Sequence, residues 1–146
     1  MATTTKRLAT SSGDGSDPVA TLLRARGCPE RTATGGLAGL LEDWERIVAQ
    51  VAGGYGLGLD DYLNDMDARQ LLADTVVVAS PSTVKRLRPR LEAADNKLKA
   101  LLLPAGRCLW GKGLAERNGW LAEKNWWYFS RPKEANQELL QDIGSR

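Results

Sequence analysis

Apolar residues recur at steps of three and four over residues 37–52. Leu37, Leu40, Leu41, Trp44, Ile47, Val48 and Val51 form one stripe, while Glu42, Asp43, Glu45, Arg46 and Gln50 occupy the other face. That spacing matches the turn of an α-helix and predicts an amphipathic one. Gly53-Gly54 is expected to end it by supplying a positive φ. Tyr55-Gly56-Leu57-Gly58 reads as a turn. A second helix then runs to about Ala79, capped by Asp60 or its neighbour, with Asp60 and Asp61 at the positive end of the helix dipole. Tyr62, Leu63, Met66, Leu72, Ala73 and Val76 are placed inward. The β-branched run Val76-Val77-Val78 leaves a short extended exit open as an alternative.

Ser80-Pro81 restarts a helix, with Ser80 as cap and Pro81 at the first position. Val84, Leu87, Leu91, Ala94, Leu98 and Leu101 make a narrow heptad-like seam, which predicts helix-on-helix packing. Pro89 interrupts that seam, so a kink or break is expected near Arg88. Pro104 and Gly106 stop the helix.

Residues 107–132 change character. Trp110, Trp120, Trp126, Trp127, Tyr128 and Phe129 crowd together, and Gly111, Gly113, Gly119 and Pro132 interrupt any long period. A short helix around Leu114 to Arg117 and a loop-rich end packed by indoles are expected. Residues 133–146 are assigned to a short C-terminal helix or tail. Residues 1–36 contain no aromatic residue and several Ser, Thr and Gly. They are expected to be a flexible N-terminal tail, within which Asp17 and Pro18 can start a short helix over Val19 to Arg26. The predicted fold is mainly α: a small bundle of about three principal helices over residues 37–132, closed by the aromatic-rich C-terminal segment.

Composition narrows the chemistry more than it names it. The 146 residues contain 20 Lys+Arg against 18 Asp+Glu, a net charge of +2 too small to imply nucleic acid or an anionic membrane. The absence of His removes Ser/His and Cys/His nucleophile pairs, imidazole metal sites and imidazole acid–base chemistry. Cys28 and Cys108 have no CxxC spacing, so neither a disulfide framework nor a zinc site is expected. No apolar run is long enough to span a bilayer. No hydrophobic stretch follows Lys6 and Arg7, and Asp14 and Asp17 argue against a transit peptide. A cytoplasmic location is expected, with no cofactor.

Three constellations could carry chemistry. The first is the acidic cluster Asp60, Asp61, Asp65 and Asp67. Asp61 and Asp65 are one helical turn apart, so their carboxylates can share a proton or hold Mg²⁺. The plainer reading is capping, dipole stabilisation and an Asp65–Arg69 pair. The second is Lys85, Arg86, Arg88, Arg90, Lys97 and Lys99. Residues 81–103 hold six bases and two acids, and residues 59–74 hold five Asp and one Arg. Complementary helix faces are the economical explanation, and phosphate contact is the sharper one. The third is Trp126, Trp127, Tyr128 and Phe129 beside Arg131, with Trp120, Lys124 and Lys133 nearby. Such side chains close a core, form a protein interface, or stack on single-stranded nucleic acid. Four consecutive aromatics cannot all point inward, so at least one is expected to be partly exposed. Gly53 to Gly58 lacks the lysine and the preceding strand of a phosphate loop.

Several of these residues form a recognisable pattern. Trp44-Glu45-Arg46-Ile47-Val48, Gly54-Tyr55, Asp60-Asp61-Tyr62-Leu63-Asn64-Asp65 and Trp126-Trp127-Tyr128-Phe129, followed by Arg131-Pro132, resemble a group of small bacterial helical proteins. The resemblance covers roughly residues 40–132 and brings no activity with it. It suggests that the row from Asp60 to Arg69 meets Trp127, Tyr128 and Arg131, with an Asp–Arg pair across the contact.

The expected function is a non-enzymatic protein-interaction protein, of which an immunity- or antitoxin-like binder is one instance. The rivals are a Mg²⁺-dependent enzyme built on the Asp60–Asp67 cluster and a weak single-stranded nucleic-acid binder. The expected partner is another protein, with nucleic acid disfavoured, no membrane, and the oligomeric state open.

Overall fold

A computed structural model describes residues 17–145. The chain is mainly α, with a small two-stranded sheet. Helix α1 (Pro18–Ala25) begins as its residues dictate: the Asp17 carboxylate accepts from the Val19 and Ala20 N–H groups, and Pro18 stands at the first position. Val19, Ala20 and Leu23 are buried. This corrects the expected tail, because residues 17–36 belong to the folded core. Aromatic residues are not needed for that. Two helical turns suffice when Leu23 is fully enclosed against α2 and α3. Residues 1–16 of the expected tail lie outside the described residues.

Helix α2 (Glu30–Ala52) is two helical stretches joined across Gly36, whose φ of 64° and ψ of −157° belong to a region reserved for glycine. The second stretch carries the apolar stripe, and the first adds buried Ala33. The positive φ that closes α2 falls on Gly54 and not on Gly53. Helix α3 (Leu59–Val78) has Gly58 at its N-cap and no side-chain cap, so Asp60 lies inside the first turn. Val76 to Val78 stay helical, and the backbone becomes extended only at Ala79. Helix α4 (Pro81–Lys99) is capped by Ser80, whose hydroxyl accepts from the Thr83 N–H. The break expected at Pro89 does not occur. Pro89 lies on the exposed face, so its missing N–H forfeits one helical bond without displacing Leu87, Ala94 or Leu98 from the core.

Beyond α4, strand β1 (Leu102–Pro104) pairs antiparallel with β2 (Ser130–Pro132), Leu102 opposite Pro132. Between them lie α5 (Lys112–Asn118) and a 3-10 turn, Trp126–Tyr128. The chain ends in α6 (Gln137–Ser145), started by the Asn136 side chain, which accepts from the Leu139 N–H at 2.8 Å. Leu139 and Ile143 are buried, so this segment is a docked helix and not a tail. Strands of three residues are too short to show a period in sequence.

Helix α2 packs against α1, α3 and α4, with Trp44 fully enclosed among them. Helix α3 also meets α1, the 3-10 turn and α6. Being covered on several sides, it shows only weak amphipathicity in sequence. Among the described residues, no helix is long and apolar enough to cross a membrane.

Candidate functional site

The acidic row of α3 and the aromatic C-terminal segment were the leading candidates, and the structure brings them together. Asp67 accepts from the Tyr128 hydroxyl at 2.5 Å and from the Trp110 indole N–H at 3.0 Å. Two residues further along, the Arg69 guanidinium lies over the Trp127 ring, 4.4 Å from its centroid. Gln70 accepts from the Asn125 side chain at 2.9 Å, and the Asn125 carbonyl in turn accepts from the Leu121 N–H. Successive polar positions of α3 therefore fasten successive pieces of the C-terminal segment. Each bond is partly buried, so breaking it leaves a polar group short of solvent and of a partner.

The Asp65 and Asp67 carboxylates face different partners. Asp65 accepts from the Tyr55 hydroxyl at 2.5 Å on one side of α3, Asp67 faces the aromatic segment, and Asp60 and Asp61 are exposed. Burial raises the Asp65 pKa above the usual carboxylate range, and the nearby Asp61 charge adds to that, while the Tyr55 bond opposes it. The same contacts push the Tyr55 and Tyr128 hydroxyls upward, chiefly through burial. Both tyrosines are therefore donors at neutral pH. Among the described residues, no three His, Cys, Asp or Glu side chains stand where they could hold a metal ion together.

The expected Asp65–Arg69 pair is not formed. Arg69 instead makes a bidentate pair with Asp95 of α4, Nε to Oδ1 and Nη2 to Oδ2, both at 2.9 Å. The Trp44 indole donates to the same Asp95 oxygen at 3.0 Å. An acidic helix thus supplies the cation and a basic helix the anion, the reverse of what their local charges suggest. The Asp–Arg pair sketched across the aromatic contact also falls elsewhere. Among the described residues Arg131 bonds the neighbouring Pro132 carbonyl and no carboxylate, and the bidentate pair joins α3 to α4. The sequence does not mark Asp95, Gln70 or Asn125: each is an ordinary polar residue on a helix or loop, and nothing local shows it as buried. Trp44 stands on the apolar stripe of α2, but its bond to Asp95 is not foreseen there.

The aromatic candidates divide accordingly. Trp127 and Tyr128 are buried, and Trp126 and Phe129 are partly exposed. Lys99 lies over the Trp126 ring, 4.9 Å from its centroid. The most exposed large apolar residues are elsewhere: Val77 at 83% and Leu121 at 57%.

Two concave surfaces stand near these residues. One, of about 480 Å³, lies at the corner from α3 to α4 and is lined by Val77, Pro81, Val84, Lys85 and Arg88. The other, of about 690 Å³, lies beside α5 and includes Trp120, Leu121 and Phe129. Of the α4 bases, Arg90 pairs with Glu45 of α2. Lys85, Arg86 and Arg88 are exposed and have no acidic partner among the described residues. Compared with protein-family models, with curated proteins and with solved structures, the chain matches none.

Proposed function

We propose that this chain is a non-enzymatic binding protein that docks an acidic segment of another protein at the α3–α4 corner. The long helices α2, α3 and α4, closed by the aromatic segment, serve in this reading as a small bundle that presents the corner. The observation that carries it is Val77, 83% exposed, on a concave surface that also carries the unpartnered cations Lys85 and Arg88, with Glu92 as its one acid. An exposed branched side chain and a cluster of like charges are both unfavourable in water. A partner offering an apolar side chain and carboxylates relieves both at once. Arginines beside an apolar groove are also the side chains from which binding hot spots are built.

The surface differs from the one first considered. Trp127, Tyr128 and Asp67 are engaged with one another inside the fold, which leaves the corner as the better-supplied interface. An immunity- or antitoxin-like protein remains one instance. The likeness to small bacterial helical proteins is compatible with it and adds no activity. We place the protein in the cytoplasm, where the free thiols of Cys28 and Cys108 stay reduced. The Mg²⁺-enzyme reading draws no support from α3, where Asp65 is engaged by Tyr55 and Asp67 by Tyr128 and Trp110.

Selection from a displayed peptide library tests the proposal. Enrichment of acidic sequences with one apolar anchor is expected. Their binding should be lost in the double variant Lys85→Glu/Arg88→Glu and recovered by peptides with Lys in place of the acids. Binding that survives the charge reversal, or enrichment without acids, overturns it.

A further inference from the structure

The cleft beside α5 is built differently from the corner and points to a different kind of ligand. Its floor is apolar, formed by Cys108, Leu109 and Ala115. Its aromatic side chains are held from behind. Trp120 stacks on Tyr128 with ring centroids 4.2 Å apart, and its backbone N–H donates to the Ala115 carbonyl at 2.9 Å. Tyr128 is in turn fixed by Asp67. Phe129 donates its N–H to Trp126 and accepts from Ala105 through its carbonyl. The Trp120 ring, backed by Tyr128, and the Phe129 backbone, fixed at both ends, lose little freedom when something packs on them.

The cleft also carries a fixed cation and a free one. The Arg107 guanidinium donates to the Ile143 carbonyl near the end of α6, which orients it. Its other N–H groups have no hydrogen-bond acceptor among the described residues and are not buried. Lys112 is exposed, with no acid within salt-bridge distance among the described residues. Glu116 is the one acid lining the cleft. Two cations over an apolar, ring-lined floor complement an apolar body bearing a single negative charge. The volume of about 690 Å³ suits a small molecule. Burial raises the pKa of the Cys108 thiol, so it acts as an apolar wall atom and the contact is non-covalent.

We propose that this cleft binds a small aryl carboxylate, its ring against Trp120 and Phe129 and its carboxylate at Arg107 and Lys112. The inference does not depend on the protein-docking reading, which uses the α3–α4 corner.

Calorimetric and NMR titration of the whole chain with 2-naphthoate tests it, with 2-naphthamide and a tripeptide ending in Phe as comparisons. The carboxylate is expected to bind at least about tenfold more tightly than the amide. Lys112→Glu should weaken naphthoate by about tenfold while leaving the melting temperature in place. Resonances of the Trp120 indole and the Leu121 amide should move on titration. Equal affinity for acid and amide, no effect of Lys112→Glu, or shifts confined to other residues would each overturn the proposal. So would tighter binding of the tripeptide, which would make the site a peptide groove.

Discussion

Helices α3 and α4 are neighbours of similar length and opposite local charge, yet they spend their polar residues in opposite ways. On α3, Asp65, Asp67, Arg69 and Gln70 each bond a side chain from another part of the fold. On α4, Lys85, Arg86 and Arg88 remain in solvent and only Asp95 reaches inward. The difference comes from coverage. Helix α3 has α1, α2, α6 and the 3-10 turn around it, so the polar side chains from Asp65 to Gln70 must find partners or lose solvation, while Asp60 and Asp61 in its first turn stay exposed. Helix α4 has a free side, where a charge costs nothing. The covered polar residues of α3 are therefore part of the scaffold, and the bases on the free side of α4 outside the Arg90–Glu45 pair are available to a partner.

Breaking the Arg69–Asp95 pair is the strongest test of that contrast. Both side chains are nearly buried, so Arg69→Met should lower the unfolding free energy in urea by about 3–5 kcal/mol, by leaving the Asp95 carboxylate with the Trp44 N–H in place of its cation. Arg69→Met/Asp95→Leu, which removes the buried charge and leaves the Trp44 N–H unpaired, should recover part of the loss. A single-variant cost below about 1 kcal/mol would mean the pair is solvated and the contrast is false. Next in size, Asp67→Ala strands the Tyr128 hydroxyl and the Trp110 N–H and should cost about 1–3 kcal/mol, whereas Asp67→Asn, which keeps an acceptor, should cost less. Near-ultraviolet circular dichroism, which reports the packing of these rings, should change with the first and not the second.

Asp65 gives a smaller effect with a definite sign. Its carboxyl pKa is raised in the fold, so the folded state holds the proton more tightly than the unfolded one. That contribution favours folding below the ordinary carboxylate pKa and is lost as pH rises through the raised value. Asp65→Asn should flatten this decline in a thermal melt measured from mildly acidic to neutral pH. A wild-type slope that survives in the variant assigns the titration to another group. The smallest expected effect is on α4. Arg86→Glu should change stability by no more than about 0.5 kcal/mol, and a larger loss would show that the basic face is structural after all.

Much of the helical skeleton could be read residue by residue. The stripe from Leu37 to Val51 located the long part of α2, Ser80-Pro81 located the start of α4, and Asp17-Pro18 located α1. These are local signals, set by side-chain period and by the first few unpaired N–H groups of a helix. The contact between the α3 row and the terminal aromatics was anticipated only through the quoted pattern, and its chemistry differed: Tyr128 and Trp110 reach Asp67, while Arg131 does not take part.

Sequence by itself determined where α1 and α4 begin and which face of α2 is apolar, because these follow from interactions within a few residues. It also determined, through the lack of histidine, which catalytic devices are absent. Tertiary structure alone decided which charged and polar groups are enclosed, since a side chain's solvation depends on elements that arrive from far along the chain. That is why Arg69 and Asp95, 26 residues apart, join in the interior, while Arg86 and Arg88, with the same formal charge as Arg69, stand in water.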